Sequence, residues 1–200
     1  MRAARGVNPP WCATIPTAMA PRPGSHTLGP DSGSCRVHTY REGMAQKVGH
    51  DLIIEVERWQ ATVEVGDDGE PRSISLEADP TSLKVLEGHR GVKPLTDSDR
   101  TEIRSNIDKK ILGGQPIKFN SSAVKLSGDK LIVQGDLTMA GSTRPASFEL
   151  QLDREGRVSG MLPVTQSEWG IKPYRALMGA LKVRDTVEVV LDASLPKEAN

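Results

Sequence analysis

Residues 116–152 read PIKFNSSAVKLSGDKLIVQGDLTMAGSTRPASFELQL, and this stretch decides the fold. Apolar and polar residues alternate along PIKFNSSAVKL, KLIVQGDLTM and PASFELQLD. A two-residue period sends one face of a strand inward and the other to solvent. Leu131, Val133, Leu137 and Met139 share one face; so do Phe148, Leu150 and Leu152. The connections SGD and AGSTR have the composition of hairpin turns. Gly141 suits a bend that a side chain would hinder, and Pro145, which lacks an N–H, is expected at the first position of its strand. The segment holds no obvious catalytic group, metal ligand or phosphate loop. Its role is to build an antiparallel wall.

The same texture extends in both directions. RVSGMLPVTQ follows through the turn REG, and the last run, DTVEVVLDASL, places Val187, Val189, Leu191, Ala193 and Leu195 inward. Upstream, CRVHTYREG reads as a first strand. HDLIIEVERWQATVEV carries Leu52, Ile54 and Val56 on one face, then Trp59, Ala61, Val63 and Val65 after a slip at Glu57-Arg58. A one-residue slip in a period of two is the signature of a β-bulge, the device that bends long strands in barrels. VGDDGEPR is a turn, and SISLEA returns with Ile74, Leu76 and Ala78 on one face.

Only TDSDRTEIRSNIDKKIL has a helical period. Thr96 is its N-cap with Asp99 three residues on, Ile103, Ile107 and Ile111 form its stripe, and Gly113-Gly114 ends it. WGIKPYRALMGALKV is read as a short helical turn, with Pro173 at its first position and Leu177 four residues before Leu181. The sum is an all-β fold: an antiparallel β-barrel of about eight strands, with one inserted α-helix and a short helical turn before the last strand. No βαβ alternation is present.

Composition narrows the function classes. Pro9, Pro10, Pro16, Pro21, Pro23 and Pro30 mark residues 1–33 as a disordered Pro/Gly-rich leader, leaving 34–196 as the barrel domain. That leader never reaches the apolar core of a signal peptide, and no run is long enough for a transmembrane helix, so the expected location is cytoplasmic. The 26 basic and 26 acidic residues cancel, which gives no electrostatic reason to expect nucleic acid or an anionic membrane as partner. Aromatic residues, at 4%, are too few for base-stacking platforms. Cys12 and Cys35 are expected to be free thiols, in keeping with a reducing compartment.

The catalytic inventory is empty. Cys35 and His38, three apart on a strand, face opposite sides and cannot share a metal ion. His50-Asp51 is read as a structural histidine beside a carboxylate; a metal or acid–base role is the weaker reading. There is no Gly-x-Ser-x-Gly, GDDGEP is too short for a calcium loop, and SGDK lacks a phosphate-loop pattern. We therefore expect no enzyme, metal or cofactor. A barrel of this size is either filled by side chains or holds one small ligand, and periodicity does not separate the two.

Residues 116–152 resemble the central block of the YceI-like family. Pro116, Ile117 and Phe119, then Leu131, Val133, Gly135, Asp136, Leu137 and Thr138, then Gly141, Thr143 and Pro145 match its motifs. The upstream helix and the closing strand (Val187, Val189, Leu191, Ala193) fit as well, so the likeness spans about 34–195. Ala140 stands where a His is usual, the early Gly-x-Phe strand motif is missing, and no signal peptide is seen. The resemblance implies a lipocalin-like barrel with an apolar lumen and a polyisoprenoid or isoprenoid-quinone type ligand, bound by a carrier or sensor. On that reading Phe119, Leu131, Val133, Leu137, Met139, Phe148 and Leu150 are wall residues, and Trp169, Ile171, Leu177 and Met178 form the mouth. A homodimer is compatible with it. The alternative is a packed barrel acting in interaction or stress response through its leader and the 79–95 loop, and a cavity above a few hundred Å3 separates the two.

Overall fold

The computed structural model describes residues 22–153 and 155–195. Fourteen strands run in chain order: β1 Gly24–Leu28, β2 Gly33–Thr39, β3 Arg41–Glu42, β4 Asp51–Val56, β5 Trp59–Val65, β6 Pro71–Ala78 and β7 Leu83–His89. After the helix come β8 Ile117–Ser127, β9 Lys130–Met139, β10 Ser142–Leu152 and β11 Arg157–Thr165. The last are β12 Arg175–Ala176, β13 Leu181–Val183 and β14 Thr186–Ser194.

Eleven of these segments form one antiparallel sheet, and chain continuity reduces them to eight long strands. β1 and β2 are two halves of one bent strand, as are β4 and β5, and β6 and β7. β2 pairs β4 while β1 pairs β5, and β4 pairs β7 while β5 pairs β6. From β6 the ladder runs through β8, β9, β10, β11 and β14 and returns to β2, with Glu188 opposite His38 and Ala193 opposite Gly33. At that meeting Gly33 is required, because a Cβ there would collide with the Asp192 carbonyl and Ala193. The expected eight-stranded barrel is thus present, in a strongly curled form.

One seam is incomplete. β10 is paired to β9 over nearly its whole length, but to β11 only at Gln151 and Leu152. Pro145 lies opposite Asp136, three residues inside its strand and not at the start as expected. Pro163 sits within β11, paired only to β14. A proline is tolerated in a strand where its missing N–H faces an unpaired edge. Both prolines occupy the strands that flank the seam. The turn Gln166–Trp169 covers it, with Arg144 Nε donating to the Glu168 carbonyl at 3.3 Å.

The predicted bulge at Glu57-Arg58 is the bend between β4 and β5. It is held from the opposite strand: the Arg58 amide donates to Ser82 Oγ (2.9 Å), and Arg58 Nε and Nη2 donate to Asp79 Oδ2 (3.0 and 2.7 Å). Asp79 also accepts from the Thr81 amide and hydroxyl, both at 2.7 Å. Helix α1, Asp97–Asn106, carries the predicted Thr96/Asp99 capping box and continues as a π-helical turn, Ile107–Leu112, to Gly113 at φ 60°. Arg100 donates to the carbonyls of Val85 and Leu86, and Arg104 to that of Thr81, which ties the helix to β7 and to the bend before it.

One expectation is corrected and another refined. Residues 24–28, assigned to a disordered leader, form β1, pairing from Gly24 opposite Val65 to Leu28 opposite Ala61. Pro23 and Pro30 bracket this strand and obscure it, while Leu28 is buried at 2% exposure. Residues 29–32 are the turn that leads into β2 at Gly33, and residues 1–21 of the expected leader, Cys12 among them, lie outside the described part. The short helical turn expected before the last strand is present as 3-10 turns at Gln166–Trp169 and Leu177–Gly179, with Pro173 between them. The second of these closes a small hairpin of β12 and β13 joined to β3. Leu177 and Met178 adopt left-handed φ values of 50° and 54°, which breaks any helical register between Leu177 and Leu181.

The β9–β10 turn generates a prediction. Met139 faces Ser142, so Ala140 and Gly141 are the two central residues, with φ of 49° and 76°. Both positions of such a turn need positive φ, which glycine and asparagine adopt more readily than alanine. Ala140→Asn is expected to stabilise the protein by about 0.5–1 kcal/mol, read as a rise in the urea midpoint at unchanged slope. A second prediction concerns the bend. Hydrogen bonds from Thr81, then from Arg58, lower the Asp79 pKa to about 2. A depressed carboxyl stabilises the fold above its unfolded pKa of about 4 and loses that contribution as pH falls through about 2. Asp79→Asn should therefore melt below the parent at neutral pH, with the gap closing in acid.

Candidate functional site

The barrel is filled at one end and hollow at the other. In the filled end Leu131, Val133, Phe119 and Leu150 are buried, with Val133 at 0% exposure. Phe148 is half-buried and stacks obliquely on Phe119, ring centroids 5.1 Å apart. The other end holds a cavity of about 600 Å3. Val37, Ile54, Leu137, Met139, Leu162, Val164, Val187 and Val189 line it from the wall, and Ile103, Ile107 and Ile111 line it from the helical segment. The isoleucine stripe of the helical segment therefore forms the cavity's lid.

Among the predicted ligand residues, Leu137, Met139 and Ile171 line this cavity. Phe119, Leu131, Val133, Phe148 and Leu150 are not part of its lining; they fill the closed end. They face inward, but a period of two carries no information on height along the barrel. Trp169 is buried and donates its indole N–H to the Leu137 carbonyl at 2.9 Å, so it seals the seam side and does not form the mouth. Leu177 and Met178 are 60% and 103% exposed, and neither touches the cavity.

The mouth is built by residues that alternation did not single out. Val48, 53% exposed, lines the cavity together with Gly49, His50, Lys93, Leu95, Thr96, Asp99, Leu181 and Lys182. His50 Nε2 is 2.7 Å from the Lys93 carbonyl, which fits the structural reading of this histidine. Asp51 serves other partners: it accepts the Arg41 amide at 2.9 Å and pairs with Arg41 and Arg90 at 3.8 and 3.7 Å. His50 and Asp51 thus do not form a hydrogen-bonded acid–base pair. Among the described residues no cluster of three or more His, Cys, Asp or Glu could hold a metal.

Below the mouth, polar groups interrupt the apolar lining, among them Thr39, whose Oγ1 is buried without a hydrogen-bond partner, Gln166 and Cys35. Gln166 is buried and satisfied, its amide donating to the carbonyls of Arg184 (3.1 Å) and Asp185 (3.2 Å). Cys35 is a free, buried thiol on the cavity wall, and loss of solvation pushes its pKa up to about 11. At neutral pH it is a protonated, inert group. A second depression, of about 880 Å3, crosses the outer face of β5, β6 and β8. Glu57, Arg58, Glu77, Asp79, Lys118 and Asn120 lie in it, so it offers an apolar molecule little.

The comparisons with known proteins agree with this geometry. The model of the YceI-like domain matches residues 36–195. BcnA of Burkholderia cenocepacia superposes with a TM-score of 0.57 at 18% identity, over 79% of this chain and 94% of that one. A YceI protein of Campylobacter jejuni superposes at 0.52 with 10% identity, over 72% and 85%. At these identities the likeness concerns the fold. No curated protein matches the chain by sequence.

The state of Cys35 gives the prediction here. Native protein at neutral pH should leave Cys35 unmodified by iodoacetamide, and denaturant should make it react fully. Peptide mass mapping reads both, and rapid native labelling at Cys35 would contradict the buried, protonated thiol.

Proposed function

The chain belongs to the YceI-like domain family, and on that premise we propose that it binds an apolar lipid of polyisoprenoid or isoprenoid-quinone type in the cavity and acts as a carrier or sensor. The observation that carries this reading is the hollow end itself. Its volume of about 600 Å3 lies within the range of small-molecule pockets. Its wall is aliphatic, so transfer of a hydrocarbon from water is favourable by about 25 cal/mol per Å2 buried. Leu137, Met139 and Ile171 are wall contacts in this proposal, joined by the three isoleucines of the lid. The inert Cys35 and the separate engagements of His50 and Asp51 suit binding without chemical conversion.

One chain forms the cavity, so a homodimer is compatible with this role but unnecessary for it. A reducing, cytoplasmic setting belongs to the same proposal. Among the described residues no helix is long and apolar enough to cross a membrane. The packed-barrel alternative is disfavoured by the size of the cavity.

Native mass spectrometry and organic extraction of freshly purified protein test the reading. The expected result is a retained apolar lipid at up to one molecule per chain. Val189→Trp, which fills the lumen from β14, should lower the retained amount on the order of tenfold while circular dichroism stays unchanged. Protein that retains no lipid, and takes none up from added isoprenoid quinone, would refute it.

A further inference from the structure

The net charge of zero conceals a local imbalance at the cavity mouth. Segments 40–48 and 172–184 contain six basic residues and one acidic residue, Glu42. The structure joins these two segments. β3 pairs with β13, and the Ala45 amide donates to the Ala180 carbonyl at 2.9 Å. Arg41 is turned inward onto Asp51 and the Gly49 carbonyl, and Lys182 lies 4.0 Å from Glu42. Lys47, Lys172, Arg175 and Arg184 are exposed.

The same edge carries apolar side chains in water. Met44 is 95% exposed, Leu177 60% and Met178 103%. Leu177 and Met178 are consecutive non-glycine residues at left-handed φ, a conformation that costs roughly 1–2 kcal/mol per residue. Packing within the chain does not offset that cost, since both side chains project from the surface. Val48 connects this edge to the lumen, being both exposed and part of the cavity lining. Protruding Met and Leu flanked by exposed Lys and Arg match the chemistry of a bilayer interface, where apolar tips enter the headgroup boundary and basic groups meet phosphate.

We propose that this edge, formed by the turns at Met44 and Leu177-Met178, docks the protein on an anionic membrane surface and sets the cavity mouth against the lipid. The acidic groups beside this edge are engaged within the chain: Glu42 with Lys182, Asp51 with Arg41 and Arg90, Asp185 with Ser167 and Glu188 with Tyr40. Asp97, Asp99 and Glu102 belong to α1, so the exposed Lys47, Lys172, Arg175 and Arg184 concentrate the attraction on the edge built by β3, β12 and β13 and orient the molecule. The occupant is a lipid bilayer and not a nucleic acid, because exposed aliphatic side chains give a nucleic acid backbone nothing to bind. Docking rests on the lipid-binding reading for its purpose, though not for its test.

Co-sedimentation with vesicles of phosphatidylcholine, with and without phosphatidylglycerol, is the experiment. The full chain should pellet with the mixed vesicles and stay in solution with phosphatidylcholine alone. The double variant Leu177→Ser/Met178→Ser and the double variant Lys172→Glu/Arg175→Glu should each weaken vesicle binding on the order of tenfold or more. Both pairs are exposed and leave the barrel intact, so native mass spectrometry should still find lipid in the variants. Binding that is equal on the two vesicle types, absent from both, or unchanged in the variants overturns the proposal, as does preferential retention on an oligonucleotide. An empty cavity in a protein that still docks would fail the lipid-binding reading and leave docking standing.

Discussion

Every long strand of this barrel has a neighbour on both sides because β14 reaches β2, with Glu188 set opposite His38. That pairing satisfies backbone donors and acceptors that an open sheet would present at two edges. It also fixes the circumference, and with it the interior volume that side chains must share. The chain has few large residues to fill that volume. Its phenylalanines, Phe119 and Phe148, stack in one end, and Trp59 and Trp169 are buried. The other end is walled by Val, Leu, Ile and Met, which are too short to meet across the lumen. Ring closure with uneven filling therefore leaves a hollow, and the helical segment covers it.

Closure also explains the bends. The strands β1–β2, β4–β5 and β6–β7 are long enough to serve both ends of the barrel only if they turn partway. The sharpest constraint sits at Arg58, Asp79 and Ser82, where side chains take over from the interrupted ladder. The π-helical turn at Ile107–Leu112 has a similar origin: it carries Ile107 and Ile111 over the lumen before Gly113 releases the chain into β8.

Much of this was legible in the sequence, for identifiable reasons. Alternation through Leu131–Met139 and Phe148–Leu152 identified wall strands, the phase slip at Glu57-Arg58 marked the bend, and Thr96/Asp99 with the isoleucine stripe marked the helix. β1 escaped notice because Leu28 is its one apolar residue and its order comes from backbone pairing to β5. Leu177 and Met178 were drawn to the mouth by their hydrophobicity, whereas a left-handed turn points them into solvent. The cavity lining was partly legible: Leu137, Met139 and Ile171 belong to it, whereas Phe119, Leu131, Val133 and Leu150 sit at another height along the barrel. Inward-facing residues look alike in sequence whether they meet a neighbour or empty space.

The placement of the closing pair has a consequence for how the molecule is made. Strands β8, β9 and β10 are joined by tight turns and can zip together as soon as they are synthesised, since their contacts are local. The β14–β2 contact joins strands from opposite ends of the domain and must wait for the last residues of the chain. Until then the apolar inner faces of both halves lack the neighbours that cover them in the finished barrel. The cavity, whose walls come from both halves, is thus the last feature of the fold to be completed.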